Sequence, residues 1–398
     1  MNRKLAQITE NKIFNNNTIY INLNILRMSK RFLRLIICLI LSVFLGTNTA
    51  NAQLFQDTAT LNLIKKDIDC IYNMQFKDSQ ELYTKIRKSY PGHPVLFLLK
   101  GMQTYWMNYP LLNTTSAHIS FEADLRECIR ISEKNKVTAY EAEYLLTDLC
   151  ARGMLMEYYN SNNLTFEVIP LVTSTYRKLR HAFAFTGVCK DLQYYTGVYN
   201  YYREAYPLAY PIYKPLVLLL PSGNMKTGLT ELQRAAINGV VLRAESNYLL
   251  AGIYLNFEKK YQQAISYSST LYRSYPDNEL YQAMYIKNLL LLGHYDEAEN
   301  LIKISSKGGE TKYLQAQLII FKGVLQEKKY HNNNLAKQYY HSGISKLSLF
   351  SGYGSENTAY ANSGLSRISK IKVETGNGNH FKGKTGKLVA FKMESDDN

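Results

Sequence analysis

The sequence predicts an all-α chain: helical hairpins stacked side by side into a solenoid. Three observations point there. Apolar residues recur at helical spacing over most of the chain, only 9 prolines and 22 glycines interrupt its 398 residues, and one stretch repeats with a 34-residue period. With 46% hydrophobic and 20% charged residues the chain can bury an extended core, and low-complexity disorder is excluded for its bulk.

The period is clearest at residues 245–278 and 279–312. In the first unit Leu249, Leu250, Ile253, Tyr254 and Phe257 mark one apolar helix face. Glu258-Lys259-Lys260 ends that helix, Tyr261 to Ala264 opens a second, and Pro276 stops it, because proline lacks an amide proton and disfavours the helical conformation at Tyr275. Tyr261 and Ala264 are matched 34 residues later by Tyr295 and Ala298. A further unit lies at 60–93. There Phe76, Ser79 and Pro91 precede Tyr261, Ala264 and Pro276 by the same 185 residues, and Phe97 and Gly101 follow at four-residue spacing.

Tyr248, Gly252, Tyr261, Ala264 and Pro276 occupy the places where the tetratricopeptide repeat consensus has an aromatic, a glycine, a tyrosine, an alanine and a proline. The chain therefore resembles the tetratricopeptide family, in its exported bacterial form. The second unit departs from the pattern, with Ile286 for the glycine and Glu310 for the proline, which implies a looser or re-angled repeat. The resemblance implies a right-handed superhelix of antiparallel helix pairs over 53–375, with Gly252 and Ala264 where the two helices cross most closely. It also implies a concave face that binds a partner. The family's inward-facing positions on the first helices correspond here to Leu249, Ile253, Asn256 and Phe257, then Ala283 and Lys287. This mostly apolar set lacks the Lys/Asn pattern that clamps a C-terminal carboxylate in some members, so an extended or helical apolar peptide is the expected ligand.

Between the repeats, Ala139–Asn160, Leu164–Phe185, Lys190–Tyr206 and Thr230–Ala236 read as helices, and Glu356–Val373 as the last one. Prolines 207, 211, 215 and 221 make 206–221 a connection, with a short apolar helix or strand at Leu216–Leu220. Tyrosine is unusually frequent, at 34 residues, and concentrates between Tyr194 and Tyr213. Tyrosines at helical spacing fill inter-helix seams with a wet polar tip, and an aromatic groove for a peptide or glycan is the alternative.

The N-terminus reads as a targeting segment. Residues 28–52 carry a basic start (Lys30, Arg31, Arg34), an apolar run from Leu35 to Leu45, and Ala50-Asn51-Ala52, which predicts signal cleavage after Ala52. The run is too short for a membrane span. Residues 1–27 are either an over-called start or a disordered extension, and 376–398, rich in Gly, Asn and Lys, reads as a disordered tail. The expected location is the periplasm or the outer-membrane periphery of a Gram-negative bacterium, and no integral span is expected in the mature chain.

Charge and motifs narrow the chemistry. The chain carries +15, and without residues 1–52 it keeps 40 basic and 31 acidic residues, a mild and scattered +9 that does not suit nucleic acid. Cys70, Cys128, Cys150 and Cys189 are widely spaced in helices, with no CxxC, and read as buried free thiols. Gly378 to Thr385 matches the phosphate-loop pattern GxxxxGK[ST], but no strand precedes it and only thirteen residues follow, so no nucleotide is expected. The seven histidines form no metal motif, and no nucleophile elbow is present. The expected function is a non-catalytic scaffold or assembly factor that binds another envelope protein, with no cofactor. A carbohydrate-binding module using the tyrosine-rich surface is the alternative.

Overall fold

Asp57 starts the first helix by accepting the Thr60 amide at 3.0 Å, satisfying a donor that has no partner within the helix. The computed structural model describes residues 54–135, 137–306 and 311–375. Residues 1–27, residues 28–52 with the expected signal segment, and the tail with its 378–385 match lie outside the described residues. The chain divides into two units, Met1–Ala52 and Gln53–Asn398, and the described residues all belong to the second.

Among the described residues, fifteen helices longer than a single turn make up this unit, and there is no strand. They are α1 (Thr58–Tyr72), α2 (Phe76–Ser89), α3 (Pro94–Met107), α4 (Ala117–Lys134), α5 (Glu141–Ser161), α6 (Thr165–Ala182), α7 (Leu192–Ala209), α8 (Met225–Asn238), α9 (Arg243–Asn256), α10 (Tyr261–Ser274), α11 (Glu279–Leu291), α12 (Tyr295–Ser305), α13 (Lys312–Lys328), α14 (Asn333–Leu347) and α15 (Ser355–Thr375). Chain neighbours pack in pairs, and alternate helices also meet, α3 on α5, α11 on α13 and α13 on α15. Side-chain caps recur at the starts: Asn224 accepts from Thr227, Asn278 from Leu280 and Tyr281, Thr311 from Leu314, and Asn332 from Leu335.

Two expectations are corrected. A Cβ at Gly252 would meet no atom within 4 Å, so this glycine does not mark the close crossing of α9 and α10; Ala264, in the core, does lie between helices. The tight crossings are elsewhere. At Gly101 an added Cβ would fall 2.5 Å from Leu125, and at Gly228 it would fall 2.6 Å from the Tyr201 amide nitrogen and 2.8 Å from the Gly197 carbonyl. The second correction concerns proline. α7 runs through Pro207 to Ala209, because a proline in the last turn forfeits a single hydrogen bond and the Tyr210 amide still closes on Tyr206 O at 2.8 Å. Beyond it the chain makes a 3-10 turn at Pro211–Tyr213 and one helical turn at Lys214–Val217, and no strand forms.

The first hairpin is fastened to residues far along the chain. Arg243 of α9 and the Tyr275 hydroxyl both reach Asp69 Oδ1 of α1, at 2.5 and 2.7 Å. The Asn278 amide donates to Tyr72 O at 3.0 Å while its oxygen caps α11. Because Tyr275 precedes the unit-ending Pro276, the repeat's own punctuation supplies this clasp. One buried core accordingly runs from Leu54 to Tyr281, and two further clusters centre on α7–α10 and on α11–α15. The four cysteines are free, three of them buried and Cys70 half-buried.

Asp67 of α1 is fully buried, accepts only from Ser79 Oγ at 2.5 Å, and leaves Oδ2 without a partner. Burial pushes its pKa from 3.8 up to about 7, against a smaller lowering by Ser79. A carboxyl raised in the folded state stabilises the fold fully below its unfolded pKa, and that stabilisation is lost as pH rises from about 4 through 7. Urea melts are therefore expected to show higher stability at pH 5 than at pH 8, by on the order of 1–3 kcal/mol. Asp67→Asn is expected to lessen the trend, to which the buried Glu245 carboxyl also contributes, and to raise stability at pH 8. A native melt independent of pH over this range contradicts the assignment.

Candidate binding hollow

An aromatic column fills the interior of the helix array. It starts at Tyr275 and Tyr72, passes through Trp106, which stacks on Tyr109 at 5.2 Å, and branches to Tyr313 and Tyr353, 6.0 and 5.8 Å from Tyr109. Tyr281 packs on Trp106 and on Tyr275 and carries the column to Tyr248 of α9, at 6.3 Å. Its polar ends are tied down: Tyr313 donates to Tyr353 O at 2.6 Å, and Tyr353 donates to Leu111 O at 3.2 Å. These rings come from α1, α3, α9, α10, α11, α13 and the 3-10 turn at Ser348–Gly354, so one column joins both halves of the array.

Beside the column, partly exposed polar groups stand next to buried rings, and the face they share is called the hollow. Tyr248 keeps 37% of its surface accessible, yet desolvation is the largest cause holding its hydroxyl far above the usual tyrosine range. A group that water reaches and protein nonetheless surrounds faces a concavity. Glu356 of α15 has the same double character: its side chain is 65% exposed, while the Lys287 ammonium, opposed by burial, lowers its carboxyl. Glu157 of α5 is exposed as well, and its charge raises the hydroxyls of Tyr105, Tyr109, Tyr194, Tyr248 and Tyr353, although burial is the largest cause for each. Residues on or next to α3, α5, α7 and α9 and in the 348–354 turn therefore lie within electrostatic reach of one carboxylate. Glu157 accepts from Ser161 Oγ at 2.9 Å and forms no ion pair among the described residues.

On α9, Glu245, Tyr248, Gly252 and Asn256 follow at intervals of three and four and share a face. The open space over Gly252 is what a glycine facing this hollow would show. Glu245 Oε2 has no hydrogen-bond partner, and burial pushes this carboxyl up to about 8. This face thus carries tyrosine rings and hydroxyls, a carboxyl raised by burial, one exposed carboxylate without a counter-ion, and one ion pair. A cation is the complement of that set, since a carboxylate and aromatic faces both attract positive charge.

Comparison of the chain with family models, curated proteins and solved structures returns no match.

The residues expected on the concave face divide. Asn256 is exposed on the α9 face that carries Tyr248, and Lys287 pairs with Glu356 and lies 5.6 Å from the Tyr360 ring. Ile253 and Ala283 are core residues with no surface to offer, because the face that carries Tyr248 is rotated from the one that carries Ile253. Leu249 is half-buried against the α7–α10 cluster, and Phe257 packs edge-on to Tyr202 at 5.3 Å. Glu157, Glu245 and Glu356 were not singled out from the sequence. Glu157 had one available signal, a lone acid within the otherwise uncharged stretch from Gly153 to Ser161 at the end of α5. In the tyrosine-rich stretch Tyr195, Tyr199 and Tyr201 are buried in seams, as the simpler reading of that composition holds. Among the described residues no helix is long and apolar enough to cross a membrane, and no group of three His, Cys, Asp or Glu could hold a metal ion.

Proposed function

We propose that this chain is a non-catalytic, exported interaction protein of tetratricopeptide type, and that its tyrosine-lined hollow holds a segment of another envelope protein. The observation that carries the reading is Glu157, an exposed carboxylate with no ion pair among the described residues, whose charge is felt by the hydroxyls of five tyrosines. A lysine or arginine side chain supplies the missing charge and lies against ring faces, each such contact contributing about 0.5–2 kcal/mol. Apolar neighbours in the same segment would pack beside Tyr248. The ligand on this reading is an extended basic–apolar peptide rather than a purely apolar one.

The test is direct binding of an array of such peptides to the Gln53–Asn398 unit. Peptides with lysine or arginine flanked by apolar residues are expected to bind. Glu157→Lys is expected to weaken them about tenfold or more and Glu157→Gln by less, with helicity unchanged because the side chain is exposed. Equal binding by native and Glu157→Lys protein removes the hollow as the site. Retention of a glycan fraction in place of any peptide transfers the assignment to the carbohydrate reading.

A further inference from the structure

We propose that the connection between α7 and α8 docks on the surface of an anionic lipid bilayer, its apolar tip entering the boundary between headgroups and acyl chains. This inference is independent of the hollow. Four aliphatic side chains in the last turn of α7 and in the connection are largely exposed: Leu208 is 69% exposed, Ile212 82%, Leu218 77% and Leu219 85%. Aliphatic side chains this close together in sequence and this exposed mark an interaction surface.

The segment is held out rather than left loose. At its base the Tyr199 hydroxyl donates to Pro221 O at 2.5 Å, and Arg203 donates to Leu220 O at 3.2 Å. Glu204 accepts the Gly223 amide at 2.9 Å. Gly223 sits so close to α7 that a Cβ would fall 2.6 Å from Asn200 O. The C-terminal end of the connection is therefore fixed back onto α7, from which its N-terminal end continues.

Charge selects the partner. From Ala205 to Thr230 there is no aspartate or glutamate, whereas Lys214 and Lys226 both stand exposed. Exposed aliphatic residues, a tyrosine pair (Tyr206 and Tyr210, rings 4.8 Å apart) and exposed lysines within one short segment are the composition of an interfacial anchor. Because no described helix can span a bilayer, the contact is peripheral.

Flotation of the Gln53–Asn398 unit with vesicles tests this. The unit lacks the apolar run at 35–45, so that segment cannot account for binding. The protein is expected to float with phosphatidylglycerol–phosphatidylcholine vesicles, less with phosphatidylcholine alone, and less as salt rises. Ile212→Ser/Leu218→Ser/Leu219→Ser is expected to reduce partitioning at least tenfold at an unchanged melting temperature, and Lys214→Glu to reduce it several-fold on anionic vesicles only. Failure of the native unit to float, or flotation of the triple variant like the native protein, overturns the proposal. Concentration-dependent dimerisation abolished by the triple variant, without flotation, would assign the loop to a second copy of the chain.

Discussion

Asp191→Ala is expected to destabilise the protein by about 3–5 kcal/mol, a large fraction of the stability of an ordinary domain. The Asp191 carboxylate is buried and accepts the amides of Val240, Val241 and Leu242 at 3.0, 2.9 and 2.7 Å, the three residues that lead into α9. Those donors have no helical carbonyl to turn to, so a carboxylate from the start of α7 serves as a cap supplied across the fold. Its fit depends on Gly239, where a Cβ would stand 2.8 Å from Asp191 Oδ1. Alanine leaves three amides unsatisfied, two of them buried with their residues. Asn keeps one acceptor oxygen, and its cost should be roughly 1–2 kcal/mol. Urea unfolding should show the midpoint falling with little change in slope. A loss below about 1 kcal/mol for Asp191→Ala would mean that water replaces the carboxylate and that the cap is dispensable.

The second large effect is a pair of identical substitutions with opposite signs. Gly228→Ala places a methyl 2.6 Å from the Tyr201 amide nitrogen and 2.8 Å from the Gly197 carbonyl, both backbone atoms that cannot rotate away. α7 and α8 must then separate, with Leu232 and Tyr201 of the α7–α10 core between them, and a loss of about 2–4 kcal/mol is expected. Gly252→Ala meets nothing, and replaces the poorest non-proline helix former with the best. It is expected to stabilise by about 0.5–1 kcal/mol. Thermal melts of the two variants beside the native protein decide the matter. If Gly252→Ala destabilises by as much as Gly228→Ala, the α9–α10 crossing is as tight as the consensus position implied.

That contrast shows what the sequence could and could not carry. Helix placement was legible because it depends on local signals: the 3.6-residue apolar period, the Tyr-Pro stops at 90–91 and 275–276, and small residues such as Ala264. The role of Gly252 was not legible, since a glycine in a helix looks the same whether it permits a crossing or faces a void. Pro207 misled for a related reason: its effect depends on how much helix remains beyond it. The hollow was harder still. Glu157, Tyr248 and Glu356 lie on α5, α9 and α15, and only the three-dimensional packing brings them together. On α9 the expected position Leu249 packs half-buried against the α7–α10 cluster while its neighbour Tyr248 is exposed, because one residue turns a helical position by about 100°.

The clasp between Asp69 and Arg243 has a consequence for synthesis. The two residues are 174 apart in sequence. A ribosome adding ~5–20 residues per second needs on the order of 10–35 s to cover that distance. Throughout that interval the first hairpin exists with the ring of Tyr72 and its backbone carbonyl still waiting for Tyr275, Tyr281 and Asn278. Ordinary repeat arrays settle neighbour by neighbour as they are made. Here the earliest part is completed by one of the later parts, so the newborn chain carries an unsatisfied aromatic edge for most of its synthesis. A holdase that covers such edges, or passage across a membrane before folding, would spare it that exposure.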